Sequence, residues 1–409
     1  MTAAARRIGR LKRIDRAAVV VITLGGIAVV IGVLGILLFI AAEAVPLFRG
    51  ARLAPASSIP LHAASTEAPA SHRGVGVDEY RRYLFTVERD ARVVFRRLSD
   101  GATAIDLPMP GLEPGTVVTS SSRSLLGHFL AAGTDDGRVA LAQVRYTPTY
   151  ENETISGLDV KVVERGLVAV DAGAREVRQV SYDEQDGLKF VAALVGDGEL
   201  ALWRRGEDDA ERLATVHVPA GHRVTQVRVG RNAVVIAATD RGRLYRWIFE
   251  DEGPRLTDVS PIAEDAVTAL EFVIGGNSVV AGTSRGEVSS WFLAPVGHGG
   301  EGMVRAHDFE PQGAAVVAFA MSPRDRSFAA AGADGSLVLR HQTSERTLAR
   351  LEGLAPSGVM VVAPKADGLY AVSRSGVAPF VLDNPHPEIS WRTLFGKVWY
   401  EGYAKPEYV

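Results

Sequence analysis

One pattern recurs along most of this chain and leaves few folds open to it. A run of apolar β-formers meets a tight polar turn closing on Gly, and an alternating strand follows. Its clearest copy spans residues 234–247, where Val-Val-Ile-Ala-Ala-Thr leads through Asp240-Arg241-Gly242 into Arg-Leu-Tyr-Arg-Trp247. Gly supplies the positive φ of a hairpin turn, and period-two alternation marks a strand with one buried face. Further copies turn at Gly137, Gly198, Gly286 and Gly335, a weaker one turns at Gly376, and in another Ala91 stands where the Gly would be. From Ala91 to Gly376, successive turn residues lie 46, 61, 44, 44, 49 and 41 positions apart. Repeats of about 40–50 residues with four short strands each read as the blades of a propeller. The expected fold class is all-β, a propeller of about seven blades (six to eight allowed) over residues 71–383.

Trp203, Trp247 and Trp291 each fall five residues after their turn Gly, and Gly221-His222 stands just ahead of one blade. In these respects the middle of the chain resembles a divergent WD-like or quinoprotein-like propeller. It departs from the WD motif where an Asp should follow the Trp: Arg204, Ile248 and Phe292 occupy those places. Gly137, Gly198, Gly242, Gly286 and Gly335 are expected as turn residues, and the three Trp as blade-packing residues. His222 is expected to make a structural hydrogen bond within its blade. The hairpin-turn acids Asp135, Asp136, Asp197, Asp240 and Asp334 suit left-handed turn geometry better than calcium binding.

Ahead of the repeats, residues 1–16 carry six basic side chains against Asp15, and residues 17–42 then run 26 positions without a charge. At about 1.5 Å per residue that run exceeds the ~30 Å hydrocarbon core of a bilayer. It is too long for the h-region of a signal peptide, about 7–15 residues, so a retained transmembrane helix is expected. The positive-inside rule places residues 1–16 in the cytoplasm and the remainder across a bacterial inner membrane, in the periplasm. Gly25, Ala28, Gly32 and Gly35 share one helical face, where small side chains would admit a second membrane helix. Residues 43–70, rich in Ala, Pro and Ser, read as a linker, and 58–64 as a strand closing the last blade from outside. The wider spacing between Tyr146 and Gly166 predicts an extended blade edge or loop. Over 384–409, Trp391, Leu394, Phe395, Val398 and Trp399 recur at helical spacing, predicting a short amphipathic juxtamembrane helix.

The two ends carry a second resemblance. Arg10-Leu-Lys-Arg-Ile-Asp-Arg16 with Glu43-Ala-Val-Pro-Leu-Phe48 is one segment, and Pro387-Glu-Ile-Ser-Trp-Arg-Thr-Leu-Phe-Gly-Lys-Val-Trp-Tyr-Glu-Gly-Tyr-Ala-Lys-Pro-Glu-Tyr408 is the other. Both resemble the large permease subunits of bacterial phosphate-specific ABC transporters, in which a long periplasmic domain is inserted after the first transmembrane helix. The resemblance implies partners: a second permease subunit, a cytoplasmic ATPase and a periplasmic phosphate-binding protein. Such permeases continue with several more membrane helices, so it also implies that this chain is the N-terminal portion of a longer or split product.

The sequence holds no cysteine, which excludes disulfides and thiolate chemistry, and its net charge of −3 gives no reason to expect nucleic acid. The nine His are scattered without metal-ligand spacing, and there is no phosphate-cradling Gly-Lys-Ser/Thr loop and no Gly-x-Ser-x-Gly elbow. No catalytic, cofactor or metal site is expected. A quinoprotein-type enzyme would need a cofactor site that the residues do not display. The function expected is therefore a membrane-anchored part of a phosphate importer with the propeller as docking or regulatory domain. A stand-alone tethered envelope scaffold is the alternative.

Overall fold

The computed structural model describes residues 3–47, 50–60 and 74–383, apart from 127, 153, 197, 207–209, 251, 297–299, 355–357 and 374–375. The amphipathic helix expected over 384–409 lies outside the described residues. The chain divides at Gly50 into an N-terminal unit and a body of Ala51–Pro387.

Among its described residues the N-terminal unit contains one helix, Ala3–Leu47, continuous through the basic segment and the apolar run. Within it Arg16–Ala42, 27 residues, is long and apolar enough to cross a membrane, a test that a signal sequence also passes. Its large apolar side chains stand exposed, and only a lipid or protein environment would cover so many.

The body consists of seven four-stranded antiparallel sheets. Each of the first six takes four consecutive strands, covering residues 74–108, 118–169, 177–216, 224–261, 267–309 and 316–351. The repeated hairpin is the second and third strand of each blade. Val234–Thr239 and Arg243–Glu250 pair across Gly242, for example, with Val235 opposite Trp247.

The seventh sheet closes the ring. Val359–Val362, Gly368–Ser373 and Gly376–Asp383 supply three strands, and Arg52–Pro55 supplies the fourth, with Leu53 opposite Leu382. The closing strand thus lies ahead of 58–64, where the sequence had suggested it. Of that stretch only Ile59, among the described residues, forms a backbone bridge, whose two hydrogen bonds to Val377 are both 2.9 Å; residues 61–64 lie outside the described residues. The reason is burial: Leu53 and Ile59 each enter a core cluster, whereas Ser58 and Pro60 remain exposed.

Blade-to-blade packing accounts for most of the core. Trp203 joins side chains of blades 2 and 3, Trp247 those of blades 3 and 4, and Trp291 those of blades 4 and 5. A polar tie repeats beside it. Thr119, Thr225 and Thr268, second residues of their innermost strands, each donate a hydroxyl to the first residue of the next blade: Val177 O at 2.8 Å, Val267 O at 2.6 Å and Val316 O at 2.6 Å.

In blade 2 the outer hairpin lengthens to Arg138–Glu151 and Thr154–Ala169, as the wide spacing predicted. The resulting ribbon reaches blade 1, where Arg82 donates to Ile155 O and, at 3.2 Å, to Ser156 O.

Candidate functional site in the axial channel

The turn residues have the backbone their position demands. Gly137, Gly198, Gly242, Gly286 and Gly335 all have positive φ, and Ala91 adopts φ 61° in spite of its side chain. Gly242 O accepts from Ile262 N at 2.8 Å and from Ala263 N at 3.2 Å, which ties the turn to the chain leaving the outer strand. The same tie runs from Val170 to Gly137, Gln312 to Gly286, Leu354 to Gly335 and Met109 to Ala91. The turn acids act locally. Asp136 accepts from Thr134 Oγ1, Asp334 from Ser336 N at 3.0 Å, and Asp240 from Arg223 N at 2.9 Å; Asp197 lies outside the described residues. His222 meets Tyr245 Oη at 3.2 Å within its own blade. Gly25, Gly32 and Gly35 have open space around the positions a Cβ would take, and Ala28 is exposed on the same helix.

Among the described residues no group of three His, Asp or Glu gathers as a metal site. What the fold does gather is a charged channel. The innermost strands of all seven blades surround a cavity of about 580 Å³, within the size range of small-molecule sites. Its wall is apolar in blades 6 and 7, for example at Phe319, and carries charged side chains in blades 2 to 5, at Arg123, Asp183, Arg228 and Glu271.

Two charges there neutralise one another: Arg228 Nε donates to Glu271 Oε2 at 2.9 Å, and Arg228 Nη1 donates to Val227 O at 2.8 Å. Asp183 accepts from Gln185 Nε2 at 2.6 Å, yet burial raises its carboxyl pKa above the ordinary value. Burial pushes the Tyr182 phenol up to about 12, so it stays a neutral donor, given to Glu184 Oε2 at 2.8 Å. Arg123, at the end of the innermost strand of blade 2, is different. Burial lowers its pKa, and its guanidinium has no hydrogen bond or ion pair among the described residues, only long-range attraction from Tyr146 and Glu271.

No family model matches this chain, and no curated protein matches it. Solved structures do. The chain is similar to the β-propeller domain of Myceliophteria thermophila Cps50 (Swd1), with TM-score 0.58 and 16% identity over 78% of this chain and 99% of that one. It is similar to a chain of the Mitotic Checkpoint Complex (TM-score 0.57, 13% identity, 82% and 93% covered). The WD40 repeats of RRP9 superpose with TM-score 0.51 at 14% identity, covering 82% and 98%. The fold is a seven-bladed β-propeller. At such identities the likeness carries the fold and no more, and nothing in it bears on phosphate or on a permease.

The channel charges were not read from the sequence. Arg123, Arg228 and Glu271 close short inner strands that look like ordinary amphipathic β-segments, and only the ring places them around one axis. The available signal was positional: each stands five or six residues into a strand that begins with Val118, Val224 or Val267.

Proposed function

We propose that this chain is a membrane-anchored, non-catalytic binding propeller. The observation that carries it is the union in one chain of an exposed apolar helix of membrane-spanning length with a ring-closed propeller body. A strand from its own N-terminal side closes the ring, and the loops between propeller strands are the usual place for partner contacts. Propeller bodies are rigid discs, and rigidity lowers the ordering cost of binding.

The finer assignment is a phosphate ABC importer, with this chain as the N-terminal part of its large permease subunit and the propeller as its periplasmic docking or regulatory domain. It is supported by the resemblance of the two end segments. The partners would be a second permease subunit, a cytoplasmic ATPase and a periplasmic phosphate-binding protein, with residues 1–16 cytoplasmic. The small-residue face of Gly25, Ala28, Gly32 and Gly35 would seat a neighbouring membrane helix. Gly32→Leu is then expected to weaken the detergent-solubilised assembly, and an unaltered assembly would refute that packing face. Replacing residues 51–383 by a short flexible linker tests the domain's role, and loss of phosphate uptake with the protein still in the membrane is the expected result. Full uptake would remove the docking role and favour the tethered envelope scaffold.

A further inference from the structure

The buried polar atoms that lack a partner are unevenly placed. Nine such side-chain atoms occur among the described residues, and four of them (Ser121 Oγ, Ser122 Oγ, His128 Nδ1 and Tyr146 Oη) belong to blade 2. Ser121 and Ser122 directly precede Arg123 and line the channel with it. His128 and Tyr146 face one another edge-on at 5.4 Å between ring centroids, and the charge of Arg123 reaches both. Orphaned polar groups are rare in native interiors, because each costs its full desolvation energy. Four of them beside an unpaired guanidinium call for a missing counterpart.

The facing wall lets blade 2 approach closely. The innermost strand of blade 1, Gly74–Val77, presents glycine at alternate positions toward blade 2. A Cβ on Gly74 would lie 2.4 Å from Ser121 Oγ, and one on Gly76 would lie 2.2 Å from the Phe85 ring and 3.0 Å from Arg123 Cδ. The arginine stem therefore runs along bare backbone, as glycine in a strand often permits. The other channel charges do not answer Arg123: Glu271 is bonded by Arg228, Asp183 is bonded by Gln185, and Arg231 stands exposed at the rim.

We propose that the channel wall between blades 1 and 2 is a binding site for a small free oxyanion, held by the Arg123 guanidinium with the Ser121 hydroxyl on the same strand face beside it. Guanidinium is the group best shaped to grip two oxygens of one anion, and serine hydroxyls rotate to donate. The site depends on the propeller alone and stands whether or not the chain serves an importer.

The test uses the full chain in detergent, with inorganic phosphate and then sulfate titrated against a chloride background. Binding is read from the thermal midpoint and from exchange broadening of the phosphate ³¹P resonance. Wild type is expected to bind at least one of the two saturably. Arg123→Met is expected to weaken that binding at least about thirty-fold, the effect of losing one partner of a buried charge pair. Arg123→Lys keeps the charge and the stem and should lose roughly ten-fold through loss of the fork; it serves as the readable variant if the Met substitution does not fold. A response to phosphate but not sulfate would support the site and narrow its ligand. Absence of saturable binding in wild type, or wild-type affinity in both variants, would overturn the proposal.

Discussion

Gly242→Ala probes what the repeated turn requires. A left-handed backbone costs an L-residue about 1–2 kcal/mol, and Gly242 has φ 63°. A Cβ at this position would lie 2.0 Å from Ala263 O and 2.9 Å from Asp265 O. The segment it strikes cannot simply retreat, because Ile262 N and Ala263 N are bonded to the carbonyl of Gly242 itself. Forced overpacking of this kind costs about 1–3 kcal/mol, so the whole loss should be roughly 2–5 kcal/mol.

Ala91 is the internal control: it has φ 61° and bears the same tie, from Met109 N at 2.7 Å, with its methyl already accommodated. Ala91→Gly relieves about 1–2 kcal/mol of strain. It loses about 0.4–1 kcal/mol through unfolded-state entropy and about 0.8 kcal/mol through the buried methyl. The net change should fall within about 1 kcal/mol of zero. Urea unfolding followed by tryptophan fluorescence measures both, with the shift in midpoint read at constant m. A Gly242→Ala loss below about 1 kcal/mol, or equal losses at the two positions, would refute the argument that φ and close approach act together.

Three further outcomes are expected. Thr225→Val removes a hydroxyl given to Val267 O and to Ala238 O; a loss of about 1 kcal/mol in urea unfolding is expected, roughly additive with the same change at Thr119 and Thr268. Burial, with Arg123 second, lowers His128 to about 4, against an ordinary value of about 6.5. The folded chain therefore resists a proton that the unfolded chain takes up, so stability is complete above pH ~6.5 and falls by up to about 3 kcal/mol as pH drops toward ~4. The urea midpoint over this range should flatten in His128→Asn, a residue that tolerates the φ of 55° found there; an unchanged pH slope would refute the assignment. Arg340 occupies in blade 6 the place that Trp247 has in blade 4, fully buried, with Nη2 donating to Glu310 O at 2.5 Å. Arg340→Met should be neutral or stabilising in urea unfolding, since a packed apolar side chain replaces a desolvated charge, and a loss above about 2 kcal/mol would show that its bonds outweigh that cost.

The sequence was legible wherever local geometry selects a residue type. A positive φ selects Gly, which marks the turns at Gly137, Gly242, Gly286 and Gly335, and Trp at a fixed distance marks the packed third strand. Ring closure was less legible. Arg52-Leu-Ala-Pro55 is four residues with one buried side chain, too short for period-two alternation to stand out. The inter-blade threonines were hidden because Thr is an ordinary strand residue, and its hydroxyl acquires meaning only when the next blade brings a carbonyl to it. Arg123 was masked because the short strand that it closes looks like any other half-buried β-segment. The channel is a long-range product of seven strands, and no local window contains it.

The central claim is that this propeller is the anchored binding domain of a membrane assembly. The most direct measurement is the composition of the complex that purifies with the full chain from native membranes in mild detergent. Recovery of a second permease subunit and an ATPase in fixed stoichiometry, with a phosphate-binding protein captured on crosslinking through the propeller, is the predicted result. Release of the chain from membranes by alkaline carbonate, or its recovery free of any stoichiometric partner, would contradict it.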